Sequence, residues 1–272
     1  MRIPFTKMHA SGNDFIIIDN RGGKVSGDAP EAARRLCRRH FSIGADGLIL
    51  IEKSKTADFA WRFFNSDGSE VEMCGNGSRC AAMFAYARCI GGRRLSFETQ
   101  AGIIKAEIKD GSVKVQLTAP KDYRPEVAVN IGGRDYKAAF INTGVPHVVF
   151  FVDDVDKVDV RKLGAETRYH EMFKPAGTNA NFAQAAGNGD ILLRTYERGV
   201  EAETLACGTG ATASALVAGA MGRAGSPVRV HTRGGNLLTV CFDWDGARFT
   251  NVFLEGDAVF VYQGVIEEGA LL

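Results

Sequence analysis

Two short stretches place a cysteine directly before a Gly-x-Gly turn. "MCGNGSRC" spans residues 73–80 and "ACGTGATAS" spans residues 206–214, so each half of the chain carries one copy. A segment rich in small residues follows each turn, which predicts a buried helix that begins there. The free N–H groups and the dipole of a helix N-terminus stabilise an anion and lower the pKa of a thiol. The pattern therefore predicts two reactive thiols, Cys74 and Cys207.

The glycines beside each cysteine let the backbone approach a ligand closely. The same N–H groups can bind a substrate carboxylate. Two such elements that faced each other would place thiols on opposite sides of one bound molecule. That geometry suits removal of a proton from one face and its delivery to the other, which inverts the configuration of a carbon acid.

Other sites are less well supported by the cysteine spacing. Cys74 and Cys80 are six residues apart and no Cys-x-x-Cys occurs, so neither a zinc site nor a thioredoxin-like motif is predicted. We expect the remaining cysteines to pack as small buried hydrophobic residues. These are Cys37, Cys80, Cys89 and Cys241.

Nucleotide binding is a weak alternative. "GTGATA" at 208–213 fits G-x-G-x-x-A, but the acidic residue expected about 20 positions later for a ribose is missing, since no Asp or Glu occurs from Gly208 to Phe242.

The composition is that of an ordinary globular protein large enough for two domains. The chain has 272 residues, of which 45% are hydrophobic and 24% charged. Its net charge of +1 creates no general attraction for nucleic acid or an anionic membrane, and we expect neither partner. Residues 1–15 lack the apolar core of a signal peptide, so we expect a cytoplasmic protein with thiols rather than disulfides.

Short β-branched or aromatic runs that end in Gly, Asp, Asn or Pro predict many strands. Amphipathic segments at 30–41 and 160–173 predict two surface helices. The Ala-rich segments after the two Cys-Gly turns predict one central helix in each half. We therefore expect an α/β fold with mixed sheets, each curled around its helix, and without regular β-α-β alternation. Residues 119–126, with two prolines, are expected to form the linker.

With these residues in view, the chain closely resembles the diaminopimelate epimerases. The resemblance covers almost the whole chain. It is carried by "KMHASGNDF" (7–15), "FNSDGSEVEMCGNGSRC" (64–80), "GVPHVV" (144–149), "GTNANF" (177–182), "YERG" (196–199) and "ETLACGTGA" (203–211).

The resemblance implies a homodimeric isomerase that needs neither pyridoxal phosphate nor a metal. Its substrate would be 2,6-diaminopimelate, interconverted between the LL and meso forms in lysine and peptidoglycan-precursor biosynthesis. The implied domains are pseudo-symmetric. The first comprises residues 1–118 with a returning segment, 259–272, and the second comprises residues 119–258.

The resemblance also implies a role for individual residues. Cys74 and Cys207 would be the acid/base pair, with Cys207 as proton acceptor and Cys74 as donor from LL to meso. His147 and Glu197 would tune the two thiols.

The implied substrate contacts are of two kinds. Backbone N–H groups would hold the reacting carboxylate, from Gly75, Asn76, Gly208 and Thr209. Side chains would hold other parts of the substrate, namely Asn13, Asn65, Asn179, Glu197 and Arg198.

Three features depart from the family pattern. Val145 and Gly47 stand where the family often has Asn and Gln, and the segment between Arg198 and Cys207 is one residue longer. Loss of the two amides favours, as an alternative, a related cofactor-independent racemase similar to proline racemase. A non-catalytic ligand-binding protein is the alternative from another class.

Overall fold

In the computed structural model, which describes residues 2–25 and 27–267, internal contacts divide the chain into two compact units. One comprises Met1–Gln116 with Gly256–Leu272, and the other comprises Leu117–Glu255. The domain limits expected from the sequence, 1–118 with 259–272 and 119–258, lie within a few residues of these and stay a prediction. Residues 268–272 of the expected returning segment lie outside the described residues.

Strands make up most of both units. In chain order they are β1 Ile3–Ala10, β2 Asn13–Asp19, β3 Gly47–Glu52, β4 Phe59–Asn65, β5 Arg94–Thr99, β6 Gly102–Lys109, β7 Ser112–Gln116, β8 Lys121–Ile131, β9 Arg134–Asn142, β10 Pro146–Phe151, β11 Asn179–Ala185, β12 Ile191–Glu197, β13 Ala202–Thr204, β14 Val228–Thr232, β15 Leu237–Trp244, β16 Phe249–Asp257 and β17 Val259–Ile266. The α-helices are α1 Ala29–Leu36, α2 Gly75–Ala87, α3 Val160–Arg168 and α4 Gly208–Ala220, and two 3₁₀ turns lie at Val155–Lys157 and Glu171–Phe173.

The first unit is a mixed sheet in the order β17-β1-β2-β3-β4-β5-β6-β7. Neighbours are antiparallel except β2 with β3 and β4 with β5, which are parallel. A parallel pair needs a crossover connection. Helix α1 lies in the first crossover and α2 in the second.

The second unit repeats this plan in the order β8-β9-β10-β11-β12-β14-β15-β16. The parallel pairs are β10 with β11 and β12 with β14, and the other neighbours are antiparallel. Helix α3 lies in the first crossover and α4 in the second. The two units therefore share one strand order and one pattern of helices, as expected for a pseudo-symmetric repeat.

Each crossover helix that follows a Cys-Gly turn is enclosed by its sheet. Helix α2 contacts β7 at one end of the first sheet's order and β1 next to the other end, and α4 contacts β9 and β15 in the second unit. In α4, every residue from Gly210 to Ala218 is buried. Small side chains permit this enclosure because strands can approach the helix closely. The predicted α/β class, with mixed sheets curled around central helices, is confirmed.

The other two helices cover the opposite faces of the sheets. Ala33 and Leu36 of α1 pack with Ile16 and Leu48 of β2 and β3 in one apolar cluster. Val160 at the start of α3 belongs to the corresponding cluster in the second unit. Central strands such as β3 are thus buried on both faces, which explains their continuous apolar sequence.

Several local expectations were wrong. Helix α1 ends at Leu36 rather than residue 41, and α3 ends at Arg168, with a separate 3₁₀ turn completing the predicted segment. The expected linker at 119–126 instead enters β8, where irregular pairing with β9 accommodates Pro125, which has no N–H to donate. None of the helices in the described part of the chain is long and apolar enough to cross a membrane.

Candidate active site

Cys74 is the N-cap of α2. Its backbone is extended, at φ −144° and ψ 120°, and its Sγ accepts a hydrogen bond from the Gly77 N–H at 3.4 Å. The first intrahelical bond runs from the Ser78 N–H to the Cys74 carbonyl at 2.8 Å. The N–H groups of Gly75 and Asn76 precede that bond, so the helix itself offers them no acceptor.

Cys207 caps α4 in the same way. Its φ is −122° and its ψ is 109°, and its Sγ accepts from the Gly210 N–H at 3.4 Å. The hydroxyl of Thr209 lies 3.5 Å from the same sulfur. The Ala211 N–H makes the first intrahelical bond, which leaves the N–H groups of Gly208 and Thr209 outside the helical pattern. The two motifs predicted from the sequence thus form the same local structure.

The surroundings of Cys207 oppose ionisation. Burial raises the pKa of its thiol, and the charge and hydrogen bond of Glu197 raise it further, whereas Thr209 and the Gly210 N–H act in the other direction. The sequence led us to expect a lowered pKa at this helix terminus, and for Cys207 that expectation was wrong. The free-energy cost of removing water from a thiolate outweighs the stabilisation that the N–H groups of one helix turn give it. These surroundings therefore favour the protonated form of the Cys207 thiol.

In the first unit, the structure joins Asn13 to the turn of α2. The side-chain amide of Asn76 donates to Oδ1 of Asn13 at 3.2 Å, and Nδ2 of Asn13 donates to Asp46 at 2.7 Å. Each amide keeps one further N–H. Asn13 is half-buried at the start of β2, so it remains accessible beside the N–H groups of the turn.

Asn65 is exposed at the end of β4, and its side chain donates within its own turn, to Ser69 Oγ at 3.0 Å. Asn65 lies at the same end of the sheet as Asn13. Gly47 of β3 pairs with Asn65 on one side and with Phe15, two residues after Asn13, on the other. An added Cβ at Gly47 would lie 2.3 Å from Cε2 of Phe63. An aromatic ring therefore fills the space that a side chain at residue 47 would need.

In the second unit, three predicted residues meet at one end of β10, β11 and β12. His147 and Asn179 are register partners on adjacent strands. Asn179 donates to the Pro146 carbonyl at 2.9 Å and accepts from the Arg198 N–H at 2.8 Å, so its amide links all three strands. The Arg198 guanidinium donates to the Ala176 carbonyl at 3.0 Å and is half-exposed.

His147 is fully buried and neutral. Burial and then the charge of Arg198 lower its pKa to about 3. Its Nδ1 lies 3.1 Å from the amide nitrogen of Asn181, whose own oxygen accepts from Thr195 at 3.0 Å. Nδ1 is therefore an acceptor and the ring proton sits on Nε2, which is buried without a partner in the described structure.

The remaining cysteines fall into two groups. Cys37 and Cys80 are buried; burial raises the pKa of Cys37 to about 12, and it also raises that of Cys80. Cys89 is exposed, contrary to expectation, because α2 ends at Ala87 and Cys89 adopts a left-handed turn with φ 56°. Cys241 is half-buried.

Comparison with known proteins decides the family. The model of the diaminopimelate epimerase family matches residues 5–121 and 139–261. The diaminopimelate epimerase of Aquifex aeolicus is 49% identical over 280 residues, covering 98% of this chain and 99% of the relative. That of Archaeoglobus fulgidus is 44% identical, covering 98% of this chain and 97% of the relative. The chain belongs to the diaminopimelate epimerase family.

Epimerases are isomerases, and this family's fold extends to more distant proteins. A phenazine biosynthesis protein of the PhzF family from Bacillus anthracis aligns with a TM-score of 0.74 at 15% identity, covering 98% of this chain and 99% of that chain. A hydroxyproline epimerase from Agrobacterium vitis aligns with a TM-score of 0.69 at 16% identity, covering 97% and 92%. At such identities the likeness concerns the fold alone.

Two polar residues of this diaminopimelate epimerase family member escaped the sequence interpretation. Asn181 binds His147, and Arg79 binds Asn76 from inside α2. Both had a signal. Asn181 follows Asn179 by two residues in an apolar strand, which places both on one face. Arg79 is the one charge in the otherwise uncharged α2.

Proposed function

We propose that the protein is a diaminopimelate epimerase that interconverts LL- and meso-2,6-diaminopimelate, with Cys74 and Cys207 as its two acid/base residues. It would act in lysine and peptidoglycan-precursor biosynthesis, and its chemistry uses neither pyridoxal phosphate nor a metal. The observation that carries the proposal is the repeated N-cap. In both copies the sulfur accepts an N–H three residues later, beside two N–H groups that the helix leaves available.

The reaction is a proton transfer through one carbon. One cysteine, as thiolate, takes the α-proton and becomes a thiol, while the electron pair left on the α-carbon spreads into the adjacent carboxylate. The other cysteine then gives its proton to the opposite face of that carbon. The two thiols thereby exchange protonation states, and the product has the inverted configuration. From LL to meso, Cys207 accepts and Cys74 donates.

The difficult step is the formation of negative charge beside a carboxylate. The N–H groups of Gly75 and Asn76 and those of Gly208 and Thr209 would hold that carboxylate, and each pair is fixed by its own helix cap before the charge develops. Preorganised donors of this kind stabilise charge at little reorganisation cost. Exclusion of water around the bound substrate would strengthen them further.

Side chains would recognise the rest of the substrate. Arg198 offers a planar fork suited to a carboxylate. Asn13, Asn65 and Asn179 offer amide groups, and Asn179 also fixes the backbone of Arg198. Glu197 raises the pKa of Cys207, and His147 offers a neutral N–H at Nε2, which supports their assignment as residues that tune the thiols.

The proposal includes the organisation of the protein. The two cysteines would belong to separate domains, residues 1–118 with 259–272 and residues 119–258, and the protein would act as a cytoplasmic homodimer without nucleic-acid or membrane partners. Four apolar side chains of β17 are 41% to 52% exposed, namely Val259, Val261, Tyr262 and Val265. Exposed apolar clusters commonly mark contacts between subunits. Sedimentation velocity measures the oligomeric state, and a monomer at micromolar concentration would contradict this part.

Proton NMR in D₂O tests the activity. The protein is incubated separately with LL-diaminopimelate, L-proline and L-glutamate, and loss of the α-hydrogen signal is followed. We expect exchange and a meso product with diaminopimelate only. No exchange with any of the three would contradict an enzymatic role and favour a non-catalytic ligand-binding protein.

A second candidate is a racemase similar to proline racemase. It is favoured by Val145 and by the packing of Phe63 against Gly47, which leave apolar groups where the family often has amides. Exchange with proline and not with diaminopimelate would support it.

A further inference from the structure

Arg79 is the largest side chain among those that are fully buried in the described residues. A buried cation is destabilising unless its charge and its N–H groups are satisfied. The contacts of this guanidinium are specific. Nη2 donates to Asn76 Oδ1 at 3.0 Å and to Ser11 Oγ at 3.2 Å, Nε donates to the Asp257 carbonyl at 3.0 Å, and Nη1 lies 3.5 Å from the Gly75 carbonyl.

The carboxylate that compensates the charge of Arg79 lies beyond hydrogen-bond distance of the guanidinium. The Asp257 carboxylate lies 3.9 Å from Nη2, and it accepts directly from the N–H and the hydroxyl of Ser11. Cys74 also lies close enough for its charge to act on Arg79. The guanidinium is thus a fixed positive charge, only partly neutralised, beside the cysteine and under the turn that follows it.

The second motif has no such cation. Five residues after Cys207, at the place of Arg79, stands Thr212, whose hydroxyl donates to the Gly208 carbonyl at 2.9 Å. Thr143 donates to the Thr209 carbonyl at 3.1 Å, so neutral hydroxyls hold this turn. The charged group acting on Cys207 is the carboxylate of Glu197. The two similar turns therefore differ in the charged side chain that acts on them, a guanidinium at the first and a carboxylate at the second.

We propose that Arg79 is a positioning residue for the reaction: it holds Gly75 and Asn76 so that their N–H groups meet the substrate carboxylate, and it stabilises negative charge on Cys74. The inference rests on the proposed function of that turn. Because Arg79 is fully buried, it acts through these residues and does not contact substrate itself. With its negative charge favoured by Arg79, Cys74 would be the base in the meso-to-LL direction, and the LL-to-meso direction starts from the opposite protonation state.

The test compares Arg79→Met, which removes the charge and the fork, with Arg79→Lys, which keeps the charge alone. Arg194→Met is the matched control, since Arg194 is also largely buried, and it pairs with Glu203 instead. We measure kcat and KM, the pH profile of kcat/KM, and the alkylation rate of Cys74 by iodoacetamide from pH 6 to 9, read by mass spectrometry. Circular dichroism and thermal melting check the fold.

For Arg79→Met we expect kcat to fall by about tenfold to a hundredfold, because misplaced N–H donors lose part of the stabilisation that one such donor gives. We also expect alkylation of Cys74 to slow by about tenfold at pH 7, which corresponds to a shift of its titration curve by one unit towards higher pH. For Arg79→Lys we expect a similar fall in kcat, because the fork is lost. The alkylation rate of Cys74 should stay within about threefold of the parent rate, because the positive charge is kept. Arg194→Met should change stability and leave the Cys74 alkylation profile in place.

A folded Arg79→Met variant with parental kcat, pH profile and Cys74 alkylation would overturn the inference. If that variant does not fold, Arg79→Lys decides, since unchanged kcat and KM would show that the fork is not needed. Alkylation needs no substrate, so it still tests the effect of Arg79 on Cys74 if the protein exchanges no α-hydrogen and the proposed function itself fails.

Discussion

The amide nitrogen of Asn181 lies 3.1 Å from Nδ1 of His147, and this bond selects the protonation state of a buried imidazole. The Asn181 amide nitrogen also donates to the Val148 carbonyl at 2.9 Å, while its oxygen accepts from Thr195. These three contacts fix the direction of the amide. His147 is left with its single N–H at Nε2, which is buried without a partner in the described structure.

The first prediction concerns the pH dependence of stability. The pKa of His147 is about 3 in the folded protein against 6.5 for an unperturbed histidine. Between these values the unfolded chain binds a proton that the folded protein does not, so the free energy of unfolding falls as the pH falls. The slope is at most about 1.4 kcal/mol per pH unit. We expect His147→Asn to remove this contribution, so that its stability relative to the parent rises by about 2 kcal/mol between pH 6.5 and pH 4.5.

Urea unfolding at several pH values measures this difference. The carboxylates are common to both proteins, so their contribution to the free energy of unfolding cancels in the comparison. His40→Asn is the matched control, because His40 is exposed. Parallel stability curves for the parent and His147→Asn would show that His147 protonates in the folded state.

The second prediction concerns the cysteine pair. Positioned acid/base groups typically contribute 10²-fold to 10⁴-fold. We expect Cys74→Ala and Cys207→Ala each to lower the rate of diaminopimelate epimerisation by at least about 10²-fold. Cys89→Ser serves as control, because that thiol is exposed outside both motifs, and it should keep parental activity.

Stereochemical analysis of the product, together with α-hydrogen exchange in D₂O, is the decisive measurement. A two-base reaction requires both thiols for inversion. Near-normal exchange and inverted product from either alanine variant would count against it.

The sequence supported the local features of the site better than its long-range contacts. A Cys-Gly-x-Gly turn before a small-residue segment predicts a capped, buried helix, and both Cys74 and Cys207 occupy that position. The prediction succeeded because the cap, the turn and the helix involve neighbouring residues. Helix spacing could also have suggested the contact between Asn76 and Arg79, which are three residues apart.

The charges around the site could not be predicted in this way. Arg79 is compensated by Asp257, which is distant in sequence and reaches it through the pairing of β1 with β17 and the contact with Ser11. Burial of Cys207 is likewise a property of the whole second unit. Residue types indicated that a thiol lay at a helix terminus, and only the surrounding side chains decide in which direction its pKa moves.

The third prediction concerns Gly47, where the family often has Gln. A Cβ here would lie 2.3 Å from Cε2 of Phe63 and 2.8 Å from the Phe64 carbonyl. We expect Gly47→Gln to destabilise the protein by about 1–3 kcal/mol, the usual cost of overpacking. In a Phe63→Ala background the same change should cost less, because the ring is gone. Urea unfolding of the four proteins gives the coupling energy, with Gly187→Gln as control at an open position. Additive effects would contradict a direct clash.

The fourth prediction compares the same helix position in the two motifs. A Cβ at Gly77 would lie 3.3 Å from Trp61, which a small shift accommodates, whereas one at Gly210 would lie 2.4 Å from Oδ1 of Asn181. Alanine favours a helix over glycine by about 1 kcal/mol. We therefore expect Gly77→Ala to change stability by less than about 1 kcal/mol, and Gly210→Ala to lose about 1–3 kcal/mol.

The position of Asn181 connects this cost to catalysis. Gly210→Ala must displace the amide that binds His147, so we expect kcat/KM to fall by at least about tenfold, as for the loss of a buried hydrogen bond worth about 1.4 kcal/mol. In an Asn181→Ala background the clashing group is gone, so Gly210→Ala should cost less stability there than in the parent protein, and kcat/KM should stay low because His147 lacks its partner. Urea unfolding and exchange kinetics on the single and double variants separate the two effects. Equal stability and activity of Gly210→Ala and Gly77→Ala would contradict the contact between Asn181 and the α4 turn.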